Sequence, residues 1–151
     1  MPVTLQNQIL INAPSRQLFD YVTQPWRWHE WHPNSRSANA EVEVLQVGDH
    51  FDEVIEVQPL APLPPKLQRQ THYVVEVSEP HRHWQVKGDT GDGWLVIRYD
   101  LFPEGEQTRF ERTLTFDVRW PTRLLLPALE RQMRRTSAVA LGNLKERLET
   151  R

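Results

Sequence analysis

Three charged residues fall where the surrounding pattern asks for apolar ones. Along 107–118 the alternation puts Phe110, Leu114, Phe116 and Val118 on one side, and Arg112 shares that side. Along 67–78, Tyr73, Val75 and Val77 share a face with Thr71 and Arg69; along 50–58, Phe51, Ile55 and Val57 share one with Glu53. An unpaired charge in a core is strongly unfavourable, so Glu53, Arg69 and Arg112 each need a partner, water or a ligand. Arg112 can neutralise a carboxylate or an enolate, with Glu53 as its resting partner or as a proton acceptor. Tyr73 and Tyr99 can supply further acid/base groups. The structural alternative is an ion pair at the mouth of the sheet, or strand ends where long side chains reach water. A β-bulge would change the register and with it these faces.

Other chemistry is thinner. His29-x-x-His32 has i,i+3 spacing but no evident third ligand, and His72, His81 and His83 surround one proposed hairpin, so no metal site is expected. There is no serine nucleophile elbow, no phosphate-cradling glycine loop and no recognisable carboxylate pair, and no cofactor is implied. No catalytic motif identifies a reaction, although a shaped pocket with one or two acid/base groups would leave little mark in a sequence. Without cysteine there is no disulfide or thiolate chemistry, and the cytoplasm is the default setting. A net charge of −2 leaves no basic footprint for nucleic acid. No apolar run is long enough for integral membrane association, and Met1-Pro2-Val3-Thr4 lacks the regions of a signal peptide. Six tryptophans and twelve prolines are both high; the tryptophans fit either a lined cavity or a Trp-rich core.

These residues must be positioned by a framework, and 151 residues suggest one domain, 1–151. Val3 to Asn12 alternates as a half-buried strand. Leu18, Phe19 and Val22 mark a short helix, and Trp26 to Pro33 one more helical turn. Strands are expected near 40–47, 50–58, 67–78, 82–88, 93–103 and 107–118, joined by turn chemistry such as Val47-Gly48-Asp49-His50 and Pro103-Glu104-Gly105-Glu106. Short connections imply an antiparallel meander. Pro59 to Pro65 is too proline-rich for a ladder and reads as a rigid flap at a sheet edge or a partner contact. From Pro121 to Thr150, Leu126, Leu129, Met133, Ser137, Ala140, Leu141, Leu144 and Leu148 recur at helical spacing. The middle of that stripe is small (Ser137, Ala138, Ala140, Gly142), which permits close helix–sheet contact or an empty space beneath. The simplest packing is α+β: a curved, seven-stranded antiparallel sheet around a long C-terminal helix, with two short helices between strands 1 and 2.

Several segments in this order carry a resemblance. Ile11-Asn12-Ala13-Pro14 leads into Leu18-Phe19-Asp20-Tyr21-Val22; Trp28 to Pro33 is similar to a Trp-x-x-Trp-x-Pro segment; Val47-Gly48-Asp49 precedes a strand; Val75-x-Val77-x-x-x-Pro80 and Gly105-Glu106-Gln107-Thr108-Arg109 follow. Together with the final helix, the chain resembles the START-like, Bet v 1-like helix-grip superfamily, in particular its polyketide cyclase/dehydrase and lipid-transport group. The resemblance implies a hydrophobic cavity between sheet and helix.

The residues expected at such a cavity are Trp28, Trp31, Glu53, Arg69, Tyr73, Trp84, Tyr99, Phe110, Arg112, Met133, Ser137, Ala140 and Leu141, with Trp28 and Trp31 read first as a cap on cavity or core. The leading expectation is a hydrophobic small molecule, lipid-like or aromatic, held by an Arg112-anchored polar end. A cyclase- or dehydratase-type enzyme is the alternative, and an interaction module with a closed core the third. Self-association as a homodimer stays open. A filled interior would favour the module, and distant, ion-paired polar groups simple binding. A carboxyl or tyrosine of displaced pKa facing Arg112 across open space would favour the enzyme.

Overall fold

The computed structural model describes residues 2–150; the expected domain 1–151 includes Met1 and Arg151, which lie outside the described residues. The chain order is β1 (Val3–Ile11), α1 (Ser15–Val22), a 3₁₀ segment (Pro25–Glu30), β2 (Ser35–Ala40), β3 (His50–Val57), β4 (Leu67–Glu79), β5 (His83–Asp89), β6 (Gly93–Glu104), β7 (Gln107–Val118), a second 3₁₀ segment (Thr122–Leu125) and α2 (Leu126–Glu149). The seven strands form one sheet in the order β1-β7-β6-β5-β4-β3-β2, and every pairing is antiparallel. Consecutive hairpins build β2 to β7, and β1 then closes the sheet against β7. This is the expected helix-grip architecture.

Alternation explains the core. On β6, Leu95, Ile97, Tyr99 and Leu101 are buried while Trp94, Val96, Arg98 and Asp100 are only half-buried; on β7, Phe110, Arg112, Leu114 and Phe116 point inward in the same rhythm. Against this face α2 lays Leu129, Ser137, Ala140, Leu141, Leu144 and Leu148. The C-terminal half of α2 is tied down by polar contacts: Asn143 Nδ2 donates to the Trp31 carbonyl at 3.1 Å and Lys145 Nζ to the Leu10 carbonyl at 2.8 Å. The Asn12 N–H donates to Glu149 Oε2 at 2.8 Å. No helix is long and apolar enough to cross a membrane among the described residues.

Three details correct the sequence reading. The strand expected at 40–47 lies at Ser35–Ala40 instead. Ala40 is already opposite Phe51 near the start of β3, so residues 41–47 have no strand left to pair with. Val42 and Val44 are exposed there, and only Leu45 turns inward. The final α-helix begins at Leu126, after the second 3₁₀ segment, with a proline in its first turn where a missing N–H is tolerated. Pro59 to Pro65 joins β3 to β4, strands inside the sheet, so it caps strand ends and does not flank an edge. Gln58 anchors it: its N–H donates to Gln132 Oε1 at 2.7 Å, Gln132 Nε2 returns a bond to the Gln58 carbonyl at 2.6 Å, and Gln58 Nε2 donates to Pro62 and Leu63 carbonyls.

Candidate functional site

Register sets the inward residues side by side. Trp84, Tyr99 and Arg112 are neighbours across β5, β6 and β7, and Phe51 and Tyr73 are neighbours across β3 and β4. Tyr73 faces Gly88 on β5. A Cβ at Gly88 would lie 2.7 Å from both Thr71 Cγ2 and Tyr73 Cε1, so the space a side chain would take is filled by the tyrosine ring. The ring stacks on Phe51 with centroids 4.6 Å apart, and its hydroxyl donates to Glu53 Oε1 at 2.8 Å.

Glu53 and Arg112 border one inner void of about 30 Å³, walled by Trp28, Trp31, His32, Asn34, Ser35, Tyr73 and Tyr99 and by apolar side chains that include Met133. That is room for about one or two waters. Both charged residues are buried, at 5% and 4% exposure, yet they do not pair. Arg112 Nη1 donates to Ser137 Oγ at 3.2 Å, and Nη2 lies 3.3 Å from His32 Nε2. The Asn34 N–H reaches His32 Nδ1 at 3.1 Å, and a neutral imidazole accepts at only one of its two nitrogens. The Asn34 N–H and Arg112 Nη2 therefore compete for one acceptor, and one of the two is left without it. Arg112 Nε and Trp31 Nε1, both buried, have no hydrogen-bond partner.

Protonation states follow from this burial. It pushes the Glu53 carboxyl up to about 7, against the Ser35 and Tyr73 hydroxyls and the Arg112 charge, which pull it down. Burial, reinforced by the Arg112 charge, holds His32 well below the usual histidine range. Burial and then Glu53 drive the Tyr73 hydroxyl far above the usual phenol range; burial raises Tyr99 as well, with Arg112 opposing. Near neutral pH the void is bordered by a fixed guanidinium, a neutral imidazole, neutral phenols and a carboxyl poised between its two forms.

A second, outer void of about 80 Å³ lies between the ends of β3, β4, β6 and β7 and the N-terminal half of α2, walled by Val57, Leu67, Phe116, Leu129 and Met133. Arg69 and Asp92 stand in its lining. Asp92 Oδ2 accepts from Arg69 Nε and from Thr122 Oγ1, both at 2.9 Å, and Oδ1 accepts from Thr90 Oγ1 at 3.0 Å. Burial alone would raise the Asp92 carboxyl; these three donors outweigh it and hold it below the usual range.

The sequence-derived candidates thus separate into groups. Trp28, Trp31, Glu53, Tyr73, Tyr99, Arg112 and Met133 border the inner void, while Arg69 is placed at the outer one. Trp84 stacks on Tyr99 at 5.4 Å and Phe110 tilts against it at 5.0 Å, both packed behind the void wall. Ser137 holds Arg112, and Ala140 and Leu141 are buried in packed core. Of the two spatial options for the small stripe, close contact wins at Ala140, and the open space sits toward Leu129 and Met133. Trp28 donates its indole N–H to the Val22 carbonyl at 2.7 Å and packs edge-on to Phe51, Tyr73 and Trp84. His29 is exposed while His32 is buried, so their i,i+3 spacing does not bring them to one face. Asn34 and Ser35 escaped the sequence reading, and His32 was weighed there only as a metal ligand. The available signal was a short polar run directly after two tryptophans, obscured once β2 was placed five residues late.

The comparisons fit this framework. The chain matches, over residues 2–149, the model of the family described as polyketide cyclase / dehydrase and lipid transport. A search of curated proteins finds no match. Among solved structures, the Zhui aromatase/cyclase from Streptomyces sp. R1128 superposes with a TM-score of 0.78 at 14% identity, covering 100% of this chain and 96% of that one. A START superfamily protein from Mycobacterium smegmatis gives 0.74 at 13% identity, covering 97% of each chain. The di-domain aromatase/cyclase StfQ of the steffimycin biosynthetic pathway gives 0.70 at 14% identity, covering 99% of this chain and 51% of that one. At these identities the structures share the fold; the family match spans nearly the whole sequence, and the chain belongs to the polyketide cyclase/dehydrase and lipid-transport family.

Proposed function

We propose that residues 1–151 act as one ligand-binding domain that holds a small hydrophobic molecule between sheet and α2, with a carboxylate or enolisable carbonyl at its polar end. The carrying observation is the state of Arg112. A buried guanidinium with an orphaned Nε, which shares with the Asn34 N–H an imidazole that accepts only once, has unmet capacity for an acceptor. Trp31, whose indole Nε1 has no partner, lines the same void. An incoming carboxylate oxygen would satisfy these groups, while the apolar side chains between sheet and α2 take the apolar body.

A second reading, acid/base catalysis, is favoured by one specific observation: the Glu53 carboxyl is poised at about 7 on the void that Arg112 borders. A group titrating near the working pH can give and take a proton. Glu53 would withdraw a proton beside a ligand carbonyl, Arg112 would hold the oxygen that becomes negative, and the Tyr73 hydroxyl would steady the Glu53 carboxylate.

Calorimetric titration of the protein and its Arg112→Leu variant with aromatic and aliphatic carboxylates, and with their neutral methyl esters, tests the binding reading. The expected result is at least a tenfold loss of carboxylate affinity in the variant, about 1.4 kcal/mol, with ester affinity little changed. Equal carboxylate affinities would remove Arg112 from the site. Proton exchange at the carbon beside a bound ketone, lost in Glu53→Gln, would support the catalytic reading.

A further inference from the structure

Ile55, Leu95 and Met133 line both voids, so these three side chains form the partition between them. On one side lie the buried polar groups around Arg112, on the other the apolar walls that lead to Arg69 and Asp92. The members of the partition differ in freedom. Ile55 and Leu95 have branched side chains on strands paired on both sides. Met133 is unbranched, only half-buried, and able to swing about successive single bonds. It is held by a weak contact, Asn34 Nδ2 to Met133 Sδ at 3.3 Å, from an amide that also donates to Thr136 Oγ1 at 3.1 Å. Asn34 itself is buried, and its carbonyl accepts the Glu56 N–H at 2.9 Å.

We infer that Met133, latched by Asn34, is a movable partition that sets which ligands fit, and that the interior is suited to an unbranched single-chain carboxylate. The inference rests on the binding reading above and deepens it. The head sits with Arg112 and Glu53; the chain passes where Met133 stood and runs along Val57, Leu67 and Leu129 toward the Arg69–Asp92 rim. The width of the passage carries the choice of ligand. Moving one methionine opens a gap the width of one methionine, which a polymethylene chain fills and a fused ring system does not. Neither void alone approaches the several hundred Å³ of an ordinary ligand pocket, so a chain that occupies both must displace the partition.

Straight-chain carboxylates from butanoate to dodecanoate, with 2-naphthoate as the ring control, are titrated by calorimetry against the parent, Met133→Ala, Met133→Phe, Asn34→Ala and Arg112→Leu. The readout is the ratio of dodecanoate to butanoate affinity, which divides out whatever the Met133 and Asn34 substitutions change at the carboxylate head. That ratio should be about tenfold higher in Met133→Ala and Asn34→Ala than in the parent and lower in Met133→Phe, and 2-naphthoate should bind the parent more weakly than dodecanoate. Arg112→Leu should weaken the whole series together. Should Met133→Ala fail to fold, Asn34→Ala and Met133→Phe carry the same comparison. If the Met133 and Asn34 variants leave the chain-length profile unchanged while Arg112→Leu still weakens binding, the partition is overturned and the binding reading stands. An unchanged series in Arg112→Leu, or no binding to the folded parent, overturns the binding reading and the partition with it.

Discussion

Glu53 and Arg112 are buried beside the same void, and neither is the other's partner: Glu53 is held by Tyr73, Arg112 by Ser137. Opposite charges in a low-dielectric interior ordinarily close on each other, since each is strongly penalised alone. Here the gap is kept by geometry. Glu53 sits on β3, on the far side of β4, β5 and β6 from Arg112 on β7, and the Tyr73 ring, seated over Gly88, draws the Glu53 carboxyl toward β4.

This arrangement has a pH signature. The Glu53 pKa is raised on folding, from an ordinary 4.5 to about 7, so its contribution is fully present below about 4.5 and is lost as pH rises to about 7. In Glu53→Gln that loss is absent. The stability of the variant relative to the parent should therefore climb across this window by on the order of 3 kcal/mol and stay level above it. Denaturant unfolding at a series of pH values checks this; a flat difference would mean that Glu53 does not ionise there.

His32 responds in the opposite sense. Its pKa is depressed on folding, by burial and then by Arg112, so its contribution is present above the ordinary histidine value of 6.5 and is lost as pH falls. Replacing Arg112 by Met removes one of the two causes. The His32 imidazole should then titrate at higher pH than in the parent, while burial still keeps it below 6.5. Imidazole NMR shifts followed against pH measure this directly.

Arg112→Leu should alter stability by no more than about 1–2 kcal/mol, because an apolar residue replaces a buried charge whose hydrogen bonding is incomplete. Thermal unfolding reads the effect. A loss of more than about 3 kcal/mol, the size expected for breaking a buried ion pair, would show that Arg112 is a structural partner and not an unfilled binding group.

Gly88→Ala should displace Tyr73, since the added methyl would sit 2.7 Å from its ring and from Thr71. A loss of about 1–3 kcal/mol is expected from overpacking, together with a changed near-ultraviolet circular dichroism from the Phe51–Tyr73–Trp28 cluster. Unchanged stability and spectrum would mean that the strands spread apart to absorb the methyl.

Asp92→Ala should loosen the outer rim by removing the acceptor shared by Arg69, Thr122 and Thr90. Amide exchange should quicken in the turn around Gly91 and in Thr122 to Leu125, with a global loss of about 1–2 kcal/mol. Carboxylates should associate faster with this variant in stopped-flow fluorescence, if the rim is the way in.

What the chain's own pattern determined was the architecture and the unusual residues. Alternation with a period of two on β6 and β7, and the three- and four-residue steps of α2, follow from which side each Cβ points. The same local logic singled out Glu53 and Arg112 as charges on buried faces. Tertiary structure decided what that logic leaves free: which strand ends overlap, and how far facing side chains stand apart. The register of β2 on β3 moved the strand to Ser35–Ala40 and brought Asn34 and Ser35 to the void. Position along β4 separated Arg69 from Arg112, although both occupy inward positions: Arg69 lies two residues nearer the strand end than Thr71, which faces Glu53, and it meets Asp92 there. Close packing at Ala140 shifted the open space toward Met133. Each of these depends on contacts between residues distant in sequence, whose positions are set by the summed packing of the whole sheet and helix and by no single segment.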